Sequence, residues 1–123
     1  IYVGNLNSLR TISDVRDAVK AYFMLVTVKP IFGECYNIGG NQSLTIKEIL
    51  EFLISMSSVK NKLKIVKDPG RFRPIDADLQ IPDCEKFKSH TGWSPQYSYK
   101  ETLNDLLNYW RKKIKKNKNY LVR

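Results

Sequence analysis

The loop between residues 71 and 83 carries the side chains whose types and spacing point most clearly to chemistry. Two guanidinium groups, on Arg71 and Arg73, are followed in this loop by three carboxylates: Asp76, Asp78 and Asp83. Arginine offers a rigid fork of donors that matches phosphate oxygens, and a nearby carboxylate can accept hydrogen bonds from sugar hydroxyls. The pattern is typical of a loop that contacts a sugar nucleotide. The alternative is a surface loop with solvated ion pairs, which are common and weak.

Apolar spacing and capping residues predict the elements that must position this loop. The chain is predicted to be α/β, rich in helix, with a few short strands. Its strands are too few for a complete doubly wound sheet, so we expect some to pair with strands outside this chain. The predicted elements are a strand at 1–6, a turn at 7–11, a helix at 14–28, a strand at 34–38, a helix after Thr45, an edge strand at 62–68, a short helix at 84–90 ending at Gly92, and a last helix after Ser98.

The helix at 14–28 and the two later capping signals are the clearest of these predictions. Ser13 is expected to cap the first helix, and a stripe at helical spacing is expected to be buried: Val15, Ala18, Val19, Tyr22, Phe23 and Val26. Thr45 with Glu48, and Ser98 with Glu101, are spaced as capping boxes. Trp93 is expected to anchor the short helix to the long last one.

The net charge of +9 is concentrated at one end of the sequence. Seven of the 21 cations lie in residues 111–123, which contain no acid, leaving 14 cations against 12 anions elsewhere. We therefore predict a folded part at 1–111 and a basic, solvated tail at 112–123. Such a tail can also bind nucleic acid through phosphate contacts, although no base-reading motif accompanies it. Nucleic-acid binding is therefore the less favoured interpretation.

The cysteines and the single histidine indicate no metal site. Cys35 and Cys84 are far apart and have no second ligand beside them, which predicts neither a disulfide framework nor metal binding. Cys35 adjoins an apolar strand and is expected to be buried. His90 falls near the C-terminal end of a helix, where the helix dipole would stabilise its positively charged form. No apolar run is long enough to cross a bilayer, and the cytoplasm is the expected compartment.

Five segments, taken in order, resemble the extended short-chain dehydrogenase/reductase family. They are Val3-Gly-Asn-Leu6 with Arg10, Asp14-Val-Arg-Asp17, Tyr36-Asn-Ile-Gly-Gly40 with the helix start that follows, Arg73-Pro-Ile-Asp76, and Thr91-Gly-Trp-Ser-Pro95. The nearest resemblance within the family is to GDP-mannose 4,6-dehydratases and their sister GDP-4-dehydro-6-deoxymannose reductases. The family usually has an aspartate after the first arginine, where this chain has Thr11.

The resemblance implies that residues 1–111 are the C-terminal, substrate-binding part of such an enzyme. Arg10 and Arg73 would converge on the diphosphate of a GDP-sugar, Asp76 would meet the ribose hydroxyls, and Asn5 would meet the base edge. The alternative for Arg10 is a surface cation, and that for Arg73 is an ion pair with Asp76 or Asp78. The match to family positions favours the nucleotide contacts for both.

The same resemblance implies the chemistry of the parent enzyme. It would convert GDP-mannose to GDP-4-dehydro-6-deoxymannose with NADP(H), or it would be the sister reductase or another nucleotide-sugar epimerase or dehydratase. The alternative outside the family is a noncatalytic module that binds anions or nucleic acid. No glycine-rich dinucleotide turn is present, so the Rossmann domain should lie in a part that this chain lacks. The chain starts without methionine and inside a predicted strand, which indicates a piece of a longer protein. The resemblance implies that this longer protein is a homo-oligomer. Tyr109 and Lys113 have the family's catalytic spacing but fall in the wrong helix, so no catalytic residue is assigned and the chain alone is expected to be inactive.

Overall fold

The computed structural model describes residues 1–73 and 79–116, which form five short strands and four α-helices. In chain order these are β1 Tyr2–Val3, β2 Leu9–Ile12, α1 Val15–Thr27, β3 Gln42–Thr45, α2 Ile46–Ser55, β4 Val66–Lys67, β5 Leu79–Gln80, α3 Glu85–Thr91 and α4 Tyr99–Lys116. Two 3-10 turns, Lys60–Lys62 and Pro69–Arg71, lie on either side of β4. The α/β, helix-rich prediction is confirmed.

The strands form two small sheets. β1 pairs in parallel with β4, so that Tyr2 lies opposite Val66 and Val3 opposite Lys67. β2 is the centre of the second sheet, antiparallel to β3 and parallel to β5. The predicted turn at 7–11 is therefore wrong over its second half, where β2 begins. The partner strands of β2, which are β3 and β5, are distant from it in sequence, and a local pattern does not reveal such pairings.

The segment at 34–38 is irregular rather than a strand. A strand exists only where a neighbouring strand receives its hydrogen bonds, and none lies beside this segment among the described residues. Tyr36 and Ile38 pack against the core, whereas Cys35 is exposed, so its predicted burial is wrong. The buried thiol is Cys84, and burial raises its pKa.

A buried carboxylate begins α1. The N-cap is Asp14 rather than the predicted Ser13, because the Asp14 carboxylate accepts a 2.8 Å hydrogen bond from the backbone N–H of Arg16. It also accepts hydrogen bonds from the Arg16 side chain and from the Thr102 hydroxyl at 2.7 Å. The bonds from Arg16 above all, and that from Thr102, hold the pKa of Asp14 well below its usual range. One side chain thereby joins α1 to α4.

The core lies between one face of α1 and the α3 region. Ala21, Phe87 and Trp93 are each at most 2% exposed, so Trp93 is a core residue as predicted. The helix that the structure shows it joining to α3 is α1, however, and not the long last helix. The Trp93 indole N–H donates to the Asp17 carbonyl at 3.2 Å. The buried Asp17 carboxylate accepts two backbone N–H groups from the loop before α4, at 3.0 and 3.1 Å. These polar bonds fix the register of α1 on the loop that leads to α4.

The apolar stripe of α1 that was predicted to be buried lies on another face of this helix. Its side chains are 63% to 73% exposed: Val15, Val19, Tyr22, Phe23 and Val26. That prediction is wrong, because helical spacing identifies an apolar face but not what covers it.

Both predicted capping boxes are present. The Thr45 hydroxyl accepts the Glu48 N–H at 3.1 Å and the Glu48 carboxylate accepts the Thr45 N–H at 2.7 Å, which starts α2. Ser98 and Glu101 exchange the same two bonds before α4. The bonds from Ser98 lower the pKa of Glu101. α4 then continues to Lys116, past the predicted start of the tail, and residues 117–123 lie outside the described part.

Candidate functional site

A cleft of about 320 Å³ collects side chains that are distant in sequence. Its lining includes the guanidinium-bearing residues Arg10, Arg71 and Arg73, together with Asn5, and the described lining residues include no carboxylate. Three of the four predicted site residues thus share one cleft. The fourth, Asp76, lies outside the described residues.

The second sheet positions Arg10. It lies on β2, which has a paired strand on both sides, and its Nη1 donates to the Leu9 carbonyl at 2.9 Å. Thr11, which stands where the family usually has aspartate, turns to the neighbouring strands. Its hydroxyl shares a 2.8 Å hydrogen bond with Ser43 and donates to the Gln80 carbonyl at 3.2 Å. Thr11 therefore holds the sheet together beside Arg10.

Close backbone approach and an ion pair position Arg71. A Cβ at Gly4 would lie 2.5 Å from the Arg71 carbonyl oxygen, so this contact requires glycine. Asp68 accepts from the Arg71 Nε at 3.1 Å and from the Gly70 N–H at 3.0 Å, which fixes the 3-10 turn. From the sequence, Arg71 is part of the loop expected to contact a sugar nucleotide, but no ligand contact is assigned to it. The close approach of Gly4 to its backbone is what brings it to the cleft.

A hydrogen-bonded loop forms the wall of the cleft at Asn5. The Asn5 amide donates to the Ser8 hydroxyl at 2.9 Å and accepts from the Asn7 N–H at 3.0 Å. Ser8 is 2% exposed, and its carbonyl accepts the N–H of Ile46 in the first turn of α2 at 3.1 Å. Through Ser8, Asn5 is thereby held beside the first turn of α2. Ser8 is a site residue that sequence reasoning missed.

Arg73 is exposed and also lines the cleft. No ion pair joins it to a carboxylate within residues 1–73 and 79–116. Asp76 and Asp78, the acids expected to pair with it in a plain surface loop, fall in the segment outside the description. Arg73 therefore contributes positive charge to the cleft without a described counter-ion.

The other candidate residues have structural surroundings. Lys113 places its ammonium 5.0 Å from the ring centre of Tyr109, a cation–π contact on the ring face. His90 lies in the last turn of α3, where its ring bonds to the Tyr36 hydroxyl through Nδ1 and to the Lys29 carbonyl at 3.0 Å through Nε2. His90 thus joins α3 to the two ends of the loop that follows α1.

Over the described residues, no group of three or more His, Cys, Asp or Glu side chains is arranged to hold a metal ion. No helix in the same part of the chain is both long and apolar enough to cross a membrane.

Comparison with known sequences identifies relatives of this chain. The model of the GDP-mannose 4,6 dehydratase family matches residues 1–106. dTDP-glucose 4,6-dehydratase of Haemophilus influenzae is 30% identical over 115 residues, covering 87% of this chain and 34% of that protein. GDP-mannose 4,6 dehydratase 1 of Arabidopsis thaliana is 27% identical over 104 residues, covering 84% and 28%. The chain spans about a third of the length of these curated relatives.

Solved structures share the fold. RMD from Pseudomonas aeruginosa, complexed with NADPH, superposes with a TM-score of 0.78 at 26% identity, covering 92% of this chain and 36% of that one. dTDP-glucose 4,6-dehydratase from Bacillus anthracis, in complex with NAD, gives 0.64 at 27% identity, covering 89% and 33%. Since the family model matches most of the chain and these structures share its architecture, the chain belongs to the GDP-mannose 4,6 dehydratase family of sugar-nucleotide dehydratases and epimerases, within the extended short-chain dehydrogenases/reductases.

Proposed function

We propose that the arginine cleft binds the diphosphate of a sugar nucleotide, as the substrate-binding part of a GDP-mannose 4,6-dehydratase-type enzyme. The observation that carries the proposal is the convergence of Arg10, Arg71 and Arg73 on one cleft whose described lining has no carboxylate. Such a site attracts a dianion, because guanidinium groups donate paired hydrogen bonds to phosphate oxygens.

Each side chain has a distinct part in this proposal. Arg10 and Arg73 bind the two phosphates, and Arg71, held by Asp68, adds positive charge to the same cleft. Asn5 faces the base side from its fixed loop. Asp76 remains the sequence-based candidate for the ribose hydroxyls.

The proposed reaction of the whole enzyme is the conversion of GDP-mannose to GDP-4-dehydro-6-deoxymannose. NADP(H), bound by the domain that this chain lacks, would supply hydride transfer at the sugar. The residues of this chain hold the nucleotide end and orient the sugar toward that domain. The chain alone should therefore be inactive. We place the enzyme in the cytoplasm as a homo-oligomer, following the family resemblance.

One observation favours a second candidate function, which differs from the first in its nucleotide. The relative at 30% identity is a dTDP-glucose 4,6-dehydratase, whereas the GDP-mannose relative is at 27%. A dTDP-glucose dehydratase would use the same diphosphate clamp with a smaller base. The sister reductase would use it too, acting on the product of the dehydratase.

Calorimetric titration of the chain with GDP-mannose, dTDP-glucose and UDP-glucose tests the proposal. We expect saturable binding that pyrophosphate competes away and that free mannose does not, with GDP-mannose the tightest. Tightest binding of dTDP-glucose would favour the second candidate. Absence of binding by all three sugar nucleotides, in a folded chain at low salt, would reject the cleft as a diphosphate site.

A further inference from the structure

The last turns of α4 carry exposed apolar and cationic side chains on one side of the helix. Leu106, Tyr109 and Trp110 are 46%, 49% and 44% exposed. Lys112 and Lys116 are exposed as well, and they follow Tyr109 by three and by seven residues. Residues at these spacings share one side of a helix, so the apolar group continues into a cationic one. We call this side the outer face of α4.

Other side chains of α4 hold the helix against the rest of the chain. Leu103 is buried, and the ring of Tyr99 meets that of Phe52 edge to face, with the ring centres 5.6 Å apart. The Arg111 guanidinium donates to the Met56 carbonyl at the end of α2, at 2.7 Å. These contacts fix α4 on α2 and leave the outer face toward solvent.

Ring contacts order the aromatic side chains of the outer face. The rings of Tyr109 and Trp110 meet edge to face, with their centres 5.6 Å apart. The Lys113 ammonium lies 5.0 Å from the centre of the Tyr109 ring. Tyrosine and tryptophan favour the boundary between an apolar phase and water, and a lysine stem can lie along apolar surface while its ammonium stays in water. The outer face thus has the side chains of an interfacial helix.

The charge of this region is unbalanced. Residues 106–123 contain seven cations and no acid. The nearest acid in the sequence of α4 is Asp105, whose carboxylate is already paired with Arg16 at 2.9 Å. The match to the family model ends at residue 106, so it does not account for this charge. The complement of such a surface is one that is negatively charged.

We infer that the outer face of α4 docks on the surface of an anionic lipid bilayer. The lysines contact the anionic headgroups, and Leu106, Tyr109 and Trp110 enter the headgroup region. The exposed aromatic side chains favour a bilayer over duplex nucleic acid, because a phosphate backbone would engage the cations and leave the apolar groups in water. The inference does not use the arginine cleft and is independent of the proposed reaction.

Sedimentation of the 123-residue chain with lipid vesicles tests this inference. Vesicles of phosphatidylcholine and phosphatidylserine, mixed at about seven to three, should bind roughly tenfold more chain than vesicles of phosphatidylcholine alone, and high salt should release it. Lys112→Glu combined with Lys116→Glu should abolish the difference. Lys20→Glu combined with Lys29→Glu is the matched control, because it changes the net charge equally at exposed lysines outside α4. Circular dichroism confirms that each variant is folded.

Tryptophan emission locates the contact. Trp110 is half-exposed, whereas the other tryptophan, Trp93, is 2% exposed in the core. Only Trp110 should therefore shift its emission to shorter wavelength when the mixed vesicles are added. Trp110→Phe should remove this shift.

Several results would overturn the inference. Equal binding to both kinds of vesicle would do so, and so would an equal loss in the two double variants, because net charge rather than the outer face would then be responsible. Release of the chain by saturating GDP-mannose would place the lipid contact at the arginine cleft, whereas a cleft that binds no sugar nucleotide would leave the vesicle result unchanged. Tighter binding to duplex DNA than to the mixed vesicles, with no shift of the Trp110 emission, would make the basic end a nucleic-acid site.

Discussion

At the scale of single residues, the three arginines of the cleft differ in how firmly they are held. Arg71 is paired with Asp68 and Arg10 is bonded to a backbone carbonyl of its own strand, whereas Arg73 is exposed without a described carboxylate partner. Within the described residues, no hydrogen bond or ion pair competes with a ligand for the donors of Arg73. Arg73 is therefore the position where substitution should affect binding most and stability least.

Arg73→Ala should weaken binding of the diphosphate ligand by about tenfold to a hundredfold, as expected for the loss of one charged hydrogen-bonding partner. Arg73→Lys should recover only part of the loss, because an ammonium keeps the charge but not the planar fork. Calorimetric titration measures both. Arg111→Ala is the matched control, since Arg111 lies on α4 away from the cleft and bonds to the Met56 carbonyl. Unchanged affinity in a folded Arg73→Ala chain would reduce Arg73 to a surface cation.

Asp14 is the residue whose charge should matter most for stability. Its folded pKa is lowered by Arg16 and Thr102, so its contribution is complete above the unfolded value near 4 and is lost as the pH falls toward the folded value. Asp14→Asn should cost about 2 kcal/mol at pH 7. The variant should also lose less stability than the wild type between about pH 5 and pH 2. Urea unfolding across this range measures both effects.

Asp105 provides the comparison for that experiment. It also pairs with Arg16, at 2.9 Å, but its side chain is 56% exposed, whereas that of Asp14 is 3% exposed. Exposed ion pairs contribute little. Asp105→Asn should therefore leave the free energy of unfolding nearly unchanged, and an equal loss in both variants would contradict the assignment of Asp14 as the buried link between α1 and α4.

At the scale of elements, helix starts were readable from the sequence because their signals are local. The boxes at Thr45 and Ser98 form as predicted, since each needs only residues three apart. At α1 the sequence offers Ser13 and Asp14 side by side, and the structure uses Asp14 because Thr102 and Arg16 also bond to it. That choice depends on a residue in α4, which no local pattern contains.

Strands and buried faces were less predictable because they depend on distant or absent partners. β2 was missed because β3 and β5 come from elsewhere in the sequence, and the predicted strand at 34–38 is irregular because it has no partner within the described chain. The spacing of Val19 and Tyr22 correctly indicated an apolar helix face, but not which of two apolar faces this chain covers. For the site, residue chemistry singled out the loop with Arg71 and Arg73, and the family resemblance indicated Asn5 and Arg10. That Arg71 and Ser8 line the same cleft follows only from the folded loops around Gly4.

The helix caps give a prediction at this scale. Ser98→Ala removes the acceptor for the Glu101 N–H and should destabilise the chain by about 1 kcal/mol. Ser13→Ala should be nearly neutral, because Asp14 rather than Ser13 caps α1. Thermal unfolding of the two variants at pH 7 distinguishes them. A larger loss in Ser13→Ala than in Ser98→Ala would show that the cap of α1 has been misidentified.

At the scale of the whole molecule, two groups of cations stand out. One is the arginine cleft, built from strands and turns of the first 73 residues. The other is the end of the chain, where seven of the 21 cations follow one another from residue 111 onward. Anion binding at the cleft uses hydrogen bonds from fixed donors, whereas binding by a basic end depends on counterion release and falls steeply with salt. The two can therefore be separated by experiment.

Truncation after Arg111 should leave the fold and the affinity for the diphosphate ligand unchanged, because it removes six cations but no residue of the cleft. Leu103 is the buried residue of α4, and Thr102 donates the hydrogen bond from α4 to Asp14. Both residues lie well before the cut. Calorimetric titration at low and at physiological salt, with circular dichroism for folding, measures the outcome. Any binding of duplex DNA by the full chain should fall steeply with salt and weaken markedly on truncation. If truncation instead removed the affinity for GDP-mannose while the fold persisted, the basic end rather than the arginine cleft would be the anion site, and the interpretation as a noncatalytic anion-binding module would replace that of a substrate-binding part.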